Sequence, residues 1–65
     1  MDKEIIDKVI EDINGWISLA AREYKVKGST EWYKRTVDRI VGMIRVLSII
    51  TNKEWSFDES GVKEV

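Results

Sequence analysis

The chain contains no cysteine, no histidine and no proline among its 65 residues. Without cysteine no disulfide can form, and without cysteine and histidine the usual zinc ligands are missing. A histidine base and a cysteine nucleophile are excluded for the same reason. The glycines are too scattered to form a phosphate-binding loop. We therefore predict a protein that is not an enzyme, with no metal site and no cofactor.

Carboxylates are the side chains left with catalytic potential. Glu4, Asp7 and Glu11 share one flank of the first predicted helix. Such carboxylates can transfer protons or hold a divalent cation when burial sets their pKa values apart. The same spacing is typical of the solvated face of an amphipathic helix. We interpret this group as a solvated face and assign no catalytic residue.

Long helices are favoured, because proline is absent and apolar residues recur every three or four positions. This period predicts an all-α fold: one helix at about residues 3–25, a turn at 26–30 and a second helix at about 31–51. Gly15 is a point where the first helix could kink, and Gly28 suits its end. Ser29 or Thr30 can cap the second helix. The short connection predicts an antiparallel hairpin within residues 1–52.

Residues 53–65 form an acidic aromatic tail. Trp55 and Phe57 alternate with polar residues, but one short strand has no obvious partner. We expect an extended segment that frays after about Glu59. The two rings serve either as a recognition element for another protein or as a cover for the bundle end near Ile49 and Ile50. The second interpretation is favoured, since a small core needs all available apolar area.

The apolar stripes of both predicted helices are wider than one neighbouring helix can cover. A chain of this size buries only about 60% of its unfolded surface, so association is a common remedy. The simplest closure is a homodimer in which two hairpins form a four-helix bundle. The residues predicted for that interface are Trp16, Val37, Ile40, Val41, Met43, Ile44, Leu47 and Ile50.

The net charge is only −1, but residues 22–45 are basic and both ends are acidic. Basic residues mixed with aromatic ones around the turn are typical of a nucleic-acid surface. The chain as a whole is slightly acidic, however, whereas DNA-binding domains are usually strongly basic. A nucleic-acid-binding regulator that uses the basic turn is therefore the second hypothesis.

The leading hypothesis is a protein-binding module that acts as an inhibitor or adaptor of a larger protein, as small accessory proteins of bacteria and phages do. The residues predicted to bind are Trp32, Lys34, Arg35, Asp38, Arg39, Trp55 and Phe57. A structural subunit that only self-assembles is the third hypothesis. The acidic start lacks a signal-peptide pattern, and no apolar run is long enough for a bilayer. We expect a cytoplasmic protein without a membrane partner.

Overall fold

A computed structural model describes residues 2–65 of the chain. Its elements are helix α1 (Lys3–Lys27), helix α2 (Glu31–Thr51), strand β1 (Trp55–Asp58) and strand β2 (Gly61–Glu64). The chain is mostly helical, as predicted. The all-α expectation is nevertheless wrong in one respect, because the last residues form a two-stranded antiparallel β-hairpin.

The helix ends follow local capping chemistry. The Asp2 side chain accepts a hydrogen bond from the Glu4 backbone N–H (3.1 Å), and the Thr30 hydroxyl accepts one from the Tyr33 N–H (3.0 Å). Gly28 takes a positive φ of 74°, and its N–H donates to the Tyr24 carbonyl (2.8 Å), which ends α1. The helix continues through Gly15 and ends two residues later than predicted, at Lys27 instead of residue 25.

Two aromatic contacts between the helices define how they pair. The Arg39 guanidinium lies 5.1 Å from the centre of the Trp16 ring, and the Tyr24 and Tyr33 rings are 4.9 Å apart. Residue numbers rise on α1 as they fall on α2, so the helices are antiparallel. Their buried core consists of Ile13, Ile17, Ala20, Ile40, Ile44 and Leu47.

The β-hairpin folds back onto the helix pair as a third element. Trp55 pairs with Glu64 and Phe57 with Val62 in the ladder, and the side chains of Trp55, Phe57 and Val62 pack on the helical core. The expectation of a tail that frays after Glu59 is therefore wrong. The strand that pairs with β1 lies in the same tail, just beyond a tight turn. The rings do cover the chain's own core, but Ile49, near the predicted contact, stays 78% exposed.

A polar side chain on α1 fixes the β-hairpin in place. The Asn14 Oδ1 atom accepts a hydrogen bond from the Val62 backbone N–H (2.8 Å). Gly61 makes this approach possible, since a Cβ atom built there would lie 2.9 Å from Asn14 Oδ1. Gly61 also has a φ of 128°, which side chains of L-residues rarely tolerate. At the other end of β1, Trp55 Nε1 donates to Thr51 Oγ1 (2.8 Å).

Two glycine substitutions should change the stability in opposite directions. Gly61→Ala should lower the free energy of unfolding by about 1–3 kcal/mol, because it strains the backbone and displaces Asn14. Gly42 is exposed on α2 with nothing within 4 Å of a built Cβ, so Gly42→Ala should raise it by about 0.5–1 kcal/mol. Urea unfolding followed by circular dichroism measures both. Wild-type stability in the Gly61→Ala variant would contradict the anchoring role of this glycine.

Candidate protein-binding surfaces

The helix pair has two long sides, and the β-hairpin covers only one of them. Asn14 of α1 bonds to the hairpin, and Val37 of α2 shares a cleft with Phe57. At about 100° per residue, Trp16 and Met43 lie on the opposite flanks of the same helices, across the buried core line. Within residues 2–65, no element therefore covers the other side of the helix pair.

We name this side the open face. It runs along both helices, and its apolar side chains include Val9, Trp16, Trp32, Met43, Val46 and Ile50. Trp32 is 42% exposed and Val46 is 56% exposed, while the other four are half-buried at the edge of the core. Large contiguous apolar surfaces are uncommon on monomeric proteins unless they serve association. The open face is therefore the first candidate binding surface.

Charged groups border the open face near the helix connection. Arg39 stacks over Trp16, and Trp32 lies beside Glu23 and Lys27 of α1. The Lys27 ammonium is 3.5 Å from the Glu23 carboxylate, in a surface pair whose lysine is exposed and whose glutamate is half-buried. Surface pairs of this kind contribute little to stability, so they remain free to exchange partners on binding.

The five residues of α2 that were predicted to bind protein do not form one patch. Trp32 and Arg39 border the open face, whereas Lys34 lies about 200° further round the helix from Trp32. Lys34 and Asp38 are exposed on the outward surface of α2. Arg35 is exposed as well, and its guanidinium is 2.7 Å from the Glu31 carboxylate. The two tail residues of the prediction, Trp55 and Phe57, are half-buried against the core.

Carboxylates interrupt the basic region around the helix connection. Glu23 pairs with Lys27 and Glu31 pairs with Arg35, both within one helix turn. Each pair cancels a positive charge that a phosphate would otherwise meet. The surface around the helix connection therefore carries charges of both signs instead of being basic. The surface of another protein can complement it at least as well as a nucleic acid can.

The residues predicted for the dimer interface separate into three groups. Ile40, Ile44 and Leu47 are buried in the core of the single chain. Val37 lies on the side that the hairpin covers, and Val41 is 42% exposed on that same flank of α2. The remaining residues lie on the open face and are Trp16, Met43 and Ile50. The homodimer itself stays a prediction, and these last residues are the ones a second copy could reach.

Sequence reasoning missed several residues that shape these surfaces. Val46 extends the open face, and its position three residues after Met43 and four before Ile50 is the signal that could have found it. Asn14 and Val62 were missed because their contact spans the chain and leaves no local pattern. The turn between the strands had a signal in Asp58, which begins a short run that ends in glycine.

The turn of the β-hairpin is held by an ionised carboxylate. Asp58 accepts hydrogen bonds from the Lys63 ammonium (2.8 Å) and from the Ser60 backbone N–H (2.8 Å) and hydroxyl. The bond from Lys63, followed by those from Ser60, holds the pKa of Asp58 well below its ordinary value. The charged form of Asp58 thus favours the closed turn.

The pKa of Asp58 predicts how the hairpin responds to acid. Because the folded-state pKa lies below the unfolded value of about 3.9, the contribution of Asp58 to stability is fully present above that value. It decreases as the pH falls further, toward the folded-state pKa. The difference in stability between wild type and Asp58→Asn should therefore shrink below about pH 4. Urea unfolding across this pH range measures the difference.

A second variant separates the cause of this shift. Lys63→Gln removes the ammonium group that lowers the pKa of Asp58 most, so the carboxyl resonance of Asp58 should titrate at a higher pH by NMR. Lys53→Gln is the matched control, because Lys53 pairs with Glu64 instead (3.2 Å). Equal titration of Asp58 in wild type and Lys63→Gln would contradict the assigned cause.

Within residues 2–65, no group of three or more acidic side chains lies close enough together to hold a metal ion. In the same part of the chain, no helix is both long and apolar enough to cross a membrane. The expectations of no catalytic residue and no cofactor stay predictions. Comparison with protein-family models, with curated protein sequences and with solved structures gave no match for this chain.

Proposed function

We propose that this chain is a small protein-binding module that acts as an inhibitor or adaptor of a larger protein, working as a homodimer. The open face is the observation that carries the proposal. It leaves two tryptophans and four aliphatic or thioether side chains without full cover along both helices. A core of six buried residues is small, so covering this face gives a stability that one chain lacks.

Two copies that join their open faces form a four-helix bundle with a shared second core. A two-fold axis across the helices pairs the same face with itself, and it brings the helix connection of one copy toward the termini of the other. Residues 22–45 are basic and residues 2–14 are acidic. This two-fold arrangement therefore places opposite charges near each other, and electrostatic complementarity of this kind fixes orientation.

The dimer would still present a second surface for a larger protein. The β-hairpins lie on the sides away from the open faces, and the outward surface of α2 stays free with Lys34 and Asp38. These residues offer both signs of charge, which suits a protein surface better than a polyphosphate backbone. Each dimer carries this surface twice, which favours the blocking or bridging of a symmetric or repeated target.

One pair of substitutions on α2 tests the dimer. Val46→Asp places a carboxylate on the outer part of the open face, so the dimer should dissociate while the single chain stays folded. Ile49→Asp is the matched control, because Ile49 is 78% exposed on the outward surface and should leave the dimer intact. Sedimentation velocity gives the mass, and circular dichroism checks the helices. A wild-type protein with the mass of one chain at high micromolar concentration would contradict the dimer.

Capture from lysates of the source cells, with and without nuclease treatment, tests the wider function. We expect one stoichiometric protein partner on the wild-type bait, and its loss on a bait that carries Lys34→Glu and Asp38→Lys. Lys8→Glu on α1 is the control, because Lys8 lies at the other end of the helix pair and forms only an exposed pair with Glu4. Recovery of the bait alone would favour a self-assembling subunit. Recovery that depends on nucleic acid would favour the regulator hypothesis.

A further inference from the structure

A cleft of about 250 Å³ opens between the turn of the β-hairpin and the helix pair. Its floor is aliphatic, with Ile17 and Ala20 from α1 and Ile40 from α2. Pockets for whole small molecules usually measure roughly 300–1,000 Å³. The cleft is thus small for a cofactor or metabolite and sufficient for one large side chain. We name it the tip cleft.

The walls of the tip cleft are aromatic. Tyr24 and Tyr33 pack ring against ring at 4.9 Å and form the helical wall, and Phe57 forms the wall on the hairpin side. Tyr24 is half exposed, so its ring is accessible to a ligand. Aromatic rings packed together offer apolar area at a low cost in conformational entropy, and pockets built this way hold the anchor residues of protein interfaces.

The rim of the tip cleft carries charges of opposite sign on its two sides. Asp58 and Glu59 lie on the hairpin side, and Lys25 lies on α1. Asp58 is already bound by Lys63 and Ser60. Within residues 2–65, neither Glu59 nor Lys25 forms an ion pair, so Glu59 is the negative charge that a ligand meets on the hairpin side and Lys25 is the positive charge on the α1 side. A cationic group beside an apolar anchor complements the hairpin side of the rim, away from Lys25.

We propose that the tip cleft binds one large apolar side chain of the partner protein, in a peptide segment with a basic residue next to that anchor. The anchor rests on Ile17 and Ile40 between the aromatic walls, and the basic group reaches Glu59. This inference rests on the proposed protein-binding function and adds the site and the chemistry of its ligand. The cleft lies on the side of the helix pair away from the open face, so dimerisation leaves it accessible.

Selection from a displayed library of random short peptides on the immobilised wild-type protein tests the tip cleft directly. The enriched peptides should share a large apolar residue beside a lysine or arginine. Ala21→Phe fills the cleft from α1 and should weaken the binding of an enriched synthetic peptide by about tenfold or more, measured by fluorescence anisotropy. Val26→Phe adds the same ring at an 80% exposed position outside the cleft and should bind as wild type does.

Two further variants keep the test decisive if Ala21→Phe displaces the hairpin. Tyr24→Ala removes part of one wall without filling the cleft, and it should also weaken binding. Glu59→Lys should change the selected residue beside the anchor from basic to acidic. The inference is overturned if no peptide is enriched, or if enriched peptides bind Ala21→Phe and Tyr24→Ala as tightly as wild type.

The dimer proposal and the tip-cleft proposal can be tested separately. Val46→Asp lies on the open face, so a monomeric variant that still binds the selected peptide supports the cleft whatever the fate of the dimer. A partner captured from the lysate that binds the cleft variants and the wild type equally well would overturn the cleft inference and leave the proposed protein-binding function intact.

Discussion

The contact between Asn14 and the backbone of β2 determines which surfaces of this protein are covered. A single side-chain oxygen on α1 accepts the Val62 N–H across 48 positions of sequence, and Gly61 makes room for it. Because Asn14 lies on one flank of α1, the hairpin must pack on that side of the helix pair. The opposite side is left open as a consequence. Both the open face and the tip cleft therefore depend on this one interaction.

The helices could be predicted because their causes are local. Apolar spacing fixes which sides of α1 and α2 pack together, and Asp2, Gly28 and Thr30 act at the helix ends through bonds within a few residues. The β-hairpin could not be predicted in the same way. Strand β2 has one inward apolar residue, Val62, and a strand that short is stabilised by its packing on the helices instead of its own propensity.

The sequence predicts that the helices leave apolar surface uncovered, but it does not predict where that surface lies. The stripe widths showed that the helices carry more apolar side chains than they can cover for each other. Which of these apolar side chains are covered depends on the side of the helix pair on which the hairpin packs. The bond from Val62 to Asn14 holds the hairpin on one side. Asn14 precedes Gly15, and an Asn-Gly pair is typical of a turn. The local sequence therefore did not indicate that Asn14 contacts strand β2. Val37 and Met43, both predicted for one interface, consequently lie on opposite sides of the molecule.

Folding and association are linked in a chain of this size. The stability of a dimer adds to that of the fold by mass action, so the protection that the open face would give the core increases with the logarithm of protein concentration. The hairpin side would gain nothing directly from such a closure, because in the proposed dimer it would face away from the second copy. Stability and recognition can then be assigned to opposite flanks of the same two helices. Substitutions that alter the recognition surface would leave the bundle intact, which is the property that lets a very small protein adapt to a particular partner.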